Sequence, residues 1–445
     1  MGGPAAAVSR RRWLAPAAIV LLALVVRVGA VAADGAYEPG NDAREYDLYA
    51  RSIAAGDDYP RSTYLLQGGP AAVRGPAYPY LLGAVYAVSD DSIAAGRLAG
   101  AALGALAVLL LYLIAKRVWG RRIGLVAAVM AAVFPPLVLL SRELLSESLF
   151  IALELGALLC VLSFRRSGGA LGWAAGAGAL CGLAVLTRNT GIVLLLAAAL
   201  GTWSLRPRLR WRAWRAPLLV LACAALVIAP WTARNAIEFG RFVPVTTSAG
   251  IAAVGTYNED SFAAAATHGA WRNPQTIPRF TPLFVTPGVD EAAVDAELRQ
   301  AARDFAWQHP AYVATTFGWN LLRLFEISGG SVVDDEGHVV EDRGIGSADP
   351  LVERVGLALA AMLAAIGLFA MLRARRRAAR EGGPPLVPLG PLFLWAIPVL
   401  TIAVSAPFAG LPRYRLAADP FLLILAAIGL TWLLARLAAP GRATR

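Results

Sequence analysis

Ser9-Arg-Arg-Arg-Trp-Leu-Ala-Pro-Ala-Ala-Ile-Val-Leu-Leu-Ala-Leu-Val-Val-Arg-Val-Gly-Ala-Val-Ala-Ala33 places three arginines ahead of an apolar run from Trp13 to Ala33. As a helix, a run of that length reaches across a hydrocarbon core of roughly 30 Å. Such runs recur along the 445 residues, of which 58% are hydrophobic and 16% charged; the mean hydropathy is +0.58. The expected fold is an all-α polytopic membrane protein. Open sheets leave their backbone unsatisfied in lipid, and the runs lack the two-residue alternation of a barrel.

The net charge of +11 does not point to nucleic acid. The basic residues stand in short clusters between apolar runs, which is the positive-inside arrangement. Cys160, Cys181 and Cys223 lie within apolar runs and show neither disulfide nor metal spacing.

The arginine clusters assign sides. Arg10, Arg11 and Arg12 put the N-terminus in the cytoplasm. Ala30-Val31-Ala32 imitates a cleavage site, but the length of the run and the spans that follow favour a retained helix. Arg27, near the outer end, is expected to snorkel or to meet a carboxylate. Lys116 to Arg122, Arg165-Arg166, Arg206 to Arg215 and Arg373 to Arg380 mark further cytoplasmic turns. The spans then fall at 13–33, 92–115, 122–140, 149–164, 170–186, 192–205, 216–233, 351–372, 388–406 and 416–436, about ten in all, with both termini cytoplasmic. Residues 76–89 are short and Tyr-rich and read as interfacial or dipping, with a full span as the alternative. Residues 1–436 form one transmembrane domain and 437–445 a cytoplasmic tail. Two extracytoplasmic loops carry short helices: 34–75, the candidate catalytic loop, and 234–349, the candidate acceptor- or donor-binding loop. The second holds a soluble helix over 290–308 and an amphipathic helix on the membrane over 311–327. Neither a fixed-period repeat nor the paired halves of many transporters is visible.

This assignment, drawn from arginine clusters, gathers unusual polar residues on the outer side: Asp42, Glu45, Asp47 and Arg74, then Glu143 and Glu147, Arg188, Arg234-Asn235, and Arg413-Tyr414-Arg415. Outer arginines run against the general bias and need carboxylates or a bound phosphate as partners. Asp42 reads two ways from its residues alone. Asp42-Ala-Arg-Glu45 fits a helix capping box; equally, Asp42, Glu45, Tyr46, Tyr49 and Ile53 share one helix face that can line a sugar site. His268, His309 and His338 read as solvated loop residues.

Arg74-Gly-Pro76, Tyr78-Pro79, Ser146-Glu147, Gly182 to Arg188, Pro230-Trp-Thr-Ala-Arg-Asn235 with Phe239-Gly240, and Arg413-Tyr-Arg415 with Pro420 occur in an order and spacing that resembles bacterial membrane glycosyltransferases of the GT-C superfamily. The protein-mannosyltransferase-like and aminoarabinose-transferase-like group is the most similar, over about residues 13–436. The resemblance implies an enzyme, a hexosyl- or pentosyltransferase, in the plasma membrane. It implies transfer of a sugar from a polyprenyl-phosphate donor to a hydroxyl acceptor (protein, glycan or lipid) on the extracytoplasmic face, with inversion. It also implies that Asp42 is the catalytic base. The family often has an Asp-Glu pair there; here Ala43 follows, and Glu45, Asp47, Glu143 and Glu147 remain candidates for the second carboxylate.

The chemistry suits these residues. A hydroxyl attacking the anomeric carbon must lose its proton, which a positioned carboxylate accepts. The transition state is oxocarbenium-like, and the leaving lipid phosphate is best met by Arg or a divalent cation. Glu45, Tyr46, Arg74, Glu143, Glu147, Arg188, Arg234, Asn235, Arg413 and Arg415 are the candidate substrate-binding residues. No compact metal-ligand spacing is present, and an oxygen-ligated cation is the compatible case. The alternatives are a transporter or lipid flippase and a non-catalytic subunit of the same fold.

Overall fold

The structure, a computed structural model, describes residues 4–35, 37–203, 211–334, 336–340, 350–381 and 387–438. Part of the basic run 206–215, the loop end 341–349 and all but two positions of the tail 437–445 lie outside the described residues.

In chain order the α-helices are α1 Pro4–Ala33, α2 Asn41–Ala54, α3 Ala77–Ser89, α4 Ile93–Trp119, α5 Arg121–Val133, α6 Pro135–Leu139, α7 Glu147–Arg166, α8 Leu171–Thr187, α9 Ile192–Thr202 and α10 Trp211–Phe239. The second loop carries α11 Ala249–Val254, α12 Glu259–Ala263, α13 Thr281–Val285, α14 Glu291–Gln308 and α15 Pro310–Leu324. The chain closes with α16 Pro350–Glu381, α17 Leu392–Ser405 and α18 Asp419–Leu437. A small sheet in the same loop joins β1 Trp271–Arg272 parallel to β2 Val332–Val333, which pairs antiparallel with β3 Val339–Val340.

Among the described residues, α1 (over Trp13–Ala33), α4, α7, α10, α16 and α18 are long and apolar enough to cross a membrane. The α5–α6 pair, bent by 58°, makes a seventh if it is one span. Length and composition carry the count no further, short of the ten expected; the other three expected segments correspond to the shorter apolar helices Leu171–Thr187, Asn189–Thr202 and Leu392–Ser405. The protein is a multi-pass membrane protein, with apolar side chains such as Leu21, Leu226 and Leu359 exposed on its outer faces. Helix α3 has 13 residues, about 20 Å at 1.5 Å per residue, and packs on α2 instead of extending through a bilayer.

The α5–α6 bend has a specific cause. Pro135 and Pro136 lack the N–H groups that would bond the carbonyls of Ala131 and Ala132. Arg27 of α1 supplies the missing donors, Nη2 to Ala131 and Nη1 to Ala132, each at 3.1 Å. Arg27 is 1% exposed. It neither snorkels nor meets a carboxylate, as its position near the helix end suggests; two orphaned carbonyls in the bundle interior claim it.

Packing elsewhere relies on small residues. A Cβ on Gly367 of α16 would lie 2.0 Å from the Leu425 carbonyl oxygen, and one on Gly429 of α18 would lie 2.0 Å from that of Leu363. Reciprocal glycines of this kind let two membrane helices touch backbone to backbone. Helix α15 buries polar side chains: Thr316, Asn320 and Arg323 are buried with Leu324, while Leu322 and the C-cap residue Phe325 are exposed. Its polar side is consumed internally, with Asn320 donating to Ala406 O and Arg323 donating to Thr267 O, His268 O and Gly330 O.

The chain path brings the ends of α1, α4, α7, α8, α10 and α18 to one face. Asp34 after α1 pairs with Arg97 of α4 and with Arg142 before α7, each at 2.8 Å. Both outer loops lie on this face.

Candidate active site

The first loop enters α2 through Asn41, whose φ of 43° lies in the left-handed region that Asn tolerates better than most residues. Asp42 follows in the first turn, and Glu45 lies three positions on. The capping box anticipated as one reading of Asp42-Ala-Arg-Glu45 does not form: the N-cap is Gly40, with no side-chain cap bond. Both carboxylates turn to arginine instead. Arg74 donates from Nη2 to Asp42 Oδ1 at 2.5 Å and from Nε to Glu45 Oε2 at 2.6 Å, and its Nη2 also donates to the Tyr64 hydroxyl at 3.2 Å.

Two features hold Arg74 in place. A Cβ on Gly75 would lie 2.3 Å from the Leu186 carbonyl oxygen, so only glycine lets this segment rest on the end of α8, just before Arg188. The other is Glu291, the first residue of α14, buried in the second loop. Its Oε2 accepts the Ala72 N–H at 2.8 Å and the Thr247 hydroxyl at 2.9 Å.

The far end of the chain completes the cluster. Arg413, in the turn Pro412–Arg415, donates from Nη2 to Asp42 Oδ2. Its Nε lies 3.9 Å from Glu147 Oε1. Arg188 Nη1 pairs ionically with Glu147 Oε1 at 2.6 Å and donates to the Ser146 hydroxyl at 3.1 Å, and the Tyr46 hydroxyl donates to Ser146 at 3.1 Å. The Tyr414 ring lies 5.4 Å from the Arg188 guanidinium and 5.3 Å from that of Arg413, within cation–π range. Three carboxylates therefore meet three guanidiniums. Arg413 and Glu147 are buried, whereas the Asp42 side chain keeps 23% of its surface exposed.

Burial would raise the Asp42 carboxyl, but the guanidiniums of Arg413 and Arg74 outweigh it and hold the group well below the usual carboxylate range. Burial would lower Arg74 and Arg413; Asp42 foremost among their neighbours holds both well above the ordinary arginine value.

Residues 73–233 match the family described as dolichyl-phosphate-mannose-protein mannosyltransferase. That stretch contains Arg74, Glu147 and Arg188 but neither Asp42 nor Arg413. Among solved structures, the archaeal oligosaccharyltransferase AglB from Archaeoglobus fulgidus, in complex with an inhibitory peptide and a dolichol-phosphate, superposes with a TM-score of 0.55 at 15% identity, covering 97% of this chain and 53% of that one. The same protein tethered to an acceptor peptide containing the NVT sequon gives 0.54 at 16% identity, over 95% and 50% of the two chains. The chain has the GT-C fold. ArnT from Cupriavidus metallidurans bound to undecaprenyl phosphate, at 17% identity, covers 95% of this chain and 79% of that one with a TM-score of 0.44. The chain spans about half the length of the oligosaccharyltransferases it matches. No curated protein matches it in sequence.

Within the GT-C fold, the expected residues fall into two groups. Asp42, Glu45, Tyr46, Arg74, Glu147, Arg188 and Arg413 come together. Four others are bound elsewhere. Glu143 accepts from the Tyr37 hydroxyl at 2.8 Å. Arg234 donates to Ala71 O, and Asn235 donates to Val243 O and Val245 O, bracing the chain behind the site. Arg415 is 1% exposed and pairs with Asp419 at 2.9 Å while donating to Leu324 O. Asp47, the remaining candidate for a second carboxylate, accepts from Tyr86 and Arg51. Tyr64 and Glu291 were not legible in advance: each earns its place through a partner about ten residues away or in another loop.

A divalent cation is one way to meet a lipid phosphate. The cluster does not fit one as arranged, since Asp42, Glu45 and Glu147 each already face a guanidinium. Among the described residues, the group of three ligand atoms close enough for a metal is Asp334, Glu336 and His338, on the exposed turn between β2 and β3.

Proposed function

We propose that the protein is a glycosyltransferase that moves a sugar from a polyprenyl-phosphate donor to a hydroxyl acceptor at the extracytoplasmic face, with inversion. The observation that carries this reading is Asp42 bridged by Arg74 and Arg413 at one end of the helix bundle. A carboxylate that can take a proton sits there beside guanidiniums that can take a phosphate. In this mechanism Asp42 accepts the acceptor hydroxyl's proton as the oxygen attacks the anomeric carbon. Arg74, Arg413 and Arg188 hold the departing lipid phosphate by charge-assisted hydrogen bonds. A single displacement from the side opposite the phosphate inverts the anomeric centre, and Glu45 and Glu147 keep the arginines oriented.

The side of the membrane follows from charge. Lys116, Arg117, Arg121, Arg122, Arg165, Arg166 and Arg373 to Arg380 lie at the ends of α4, α5, α7 and α16 that are opposite the site. By the positive-inside rule that end is cytoplasmic, with both termini, and the cluster is extracytoplasmic. The family match and the fold support the coarser part of the reading, a glycosyltransferase with a lipid-phosphate donor.

The test is transfer by purified protein from radiolabelled polyprenyl-phosphate sugars, scored as release of lipid phosphate. Release that Asp42→Asn abolishes supports the reading. No release with any such donor, by folded protein, leaves a transporter or a non-catalytic subunit in its place.

A further inference from the structure

Both oxygens of the Asp42 carboxylate are occupied, Oδ1 by Arg74 and Oδ2 by Arg413. Arg413 is buried and keeps its Nε without a hydrogen-bond partner, 3.9 Å from Glu147. Arg74 divides its guanidinium between Asp42, Glu45 and Tyr64. A guanidinium edge binds a carboxylate and a phosphate through the same geometry, two oxygens against two N–H groups. Among the described residues, the carboxylate that pairs with both Arg74 and Arg413 is Asp42, the side chain whose lone pairs a base must offer to the acceptor.

Resting on the function proposed above, we infer that Asp42 is a built-in competitor for the donor-phosphate site. Its carboxylate fills the Arg74–Arg413 cradle in the empty enzyme, the donor phosphate displaces it, and only then is Asp42 free to take a proton. The base is thereby withheld until donor is bound.

The exchange continues through the reaction. The bond from the acceptor oxygen to the anomeric carbon forms, and the bond from that carbon to the phosphate oxygen breaks, its electron pair leaving with the phosphate. The hydroxyl proton passes to Asp42. The phosphate gains one negative charge while Asp42 loses one, so the arginines' attraction shifts from carboxylate to phosphate as the step proceeds. When Asp42 later yields its proton to water, the restored carboxylate competes again for Arg74 and Arg413 and helps to expel the lipid phosphate.

The sign of one binding measurement decides this. Equilibrium binding of a polyprenyl monophosphate to the full-length protein in micelles, with excess chelator, is compared for wild type, Asp42→Asn, Asp42→Ser and Arg413→Gln. Removing the competing charge is expected to tighten binding at least about tenfold in both Asp42 variants, and Arg413→Gln to weaken it by a similar factor, the scale of one charge-assisted hydrogen bond. The serine variant serves if the asparagine variant does not fold. Equal or weaker binding by the Asp42 variants overturns the competition, and is what a carboxylate that helps to hold the phosphate, directly or through a cation, would give. If wild type binds and transfers but the variants do not tighten, the competition fails and the function stands. Binding by none of the proteins overturns both.

Discussion

Arg413 and Asp42 are 371 positions apart and share a direct guanidinium–carboxylate hydrogen bond. The contact joins the turn before the last helix to the first turn of the first outer-loop helix. With Arg74 on the other oxygen, it makes Asp42 the meeting point of three separate chain segments.

Asp42→Asn is expected to lower transfer by about 10²–10⁴, the range for loss of a general base, while the protein stays folded. Its side chain makes no cap bond and the N-cap is Gly40, so the start of α2 does not depend on the charge, and the polar amide can still accept from Arg74 and Arg413. Transfer assays alongside thermal unfolding in detergent check this. A variant that loses its fold together with its activity would assign Asp42 to the scaffold.

Gly75→Ala should misplace Arg74. The added carbon would press on the Leu186 carbonyl at 2.3 Å, backbone against backbone, so the segment must move. A displacement of about 1 Å at a reacting centre can cost on the order of 10²-fold. Transfer should fall by that order, whereas Gly35→Ala, where nothing lies within 4 Å, should retain wild-type rates.

Arg27→Leu leaves the carbonyls of Ala131 and Ala132 without donors in the bundle interior. Two orphaned acceptors cost about 2–5 kcal/mol in total, and chemical unfolding in micelles should show a loss of that size. Arg27→Lys, with fewer donors, should fall between the two.

Burial raises the carboxyls of Glu291 and Asp295, against the hydrogen bonds from Ala72 and Gly250 that lower them. The folded state therefore binds these protons at higher pH than the unfolded chain does. Their contribution to stability rises as pH falls from neutral toward the unfolded carboxylate range of about 4 and diminishes as pH rises. Asp42 acts oppositely: the stability from its arginine pairs is present above the ordinary carboxylate pKa and is lost only as pH falls below that range. Melting temperatures between about pH 4 and 8 should lose part of their pH dependence in Glu291→Gln.

The exposed side of α15 should contact lipid. A fluorophore on a cysteine replacing Leu322 should be quenched by lipids carrying nitroxide on the upper acyl chain, and one replacing Gly318 on the same face should follow it. If neither is quenched in proteoliposomes, the helix stands away from the bilayer.

The sequence by itself determined the helical membrane architecture, the positions of its apolar segments and the faces they connect. Hydrophobic length and arginine clustering are local properties, and a bilayer acts on them locally. It also brought Asp42, Glu147, Arg188 and Arg413 to one face before any contact was known. Partner choice belonged to the tertiary structure. Arg413 and Arg415 stand two residues apart, yet one reaches Asp42 and the other is buried against Asp419. Arg27 found carbonyls freed by Pro135 and Pro136 instead of a carboxylate, and Asp42 found arginines instead of its own helix N–H groups. Each outcome is set by which groups remain unsatisfied after the helices have packed, a quantity that depends on residues tens to hundreds of positions away and that no local pattern contains.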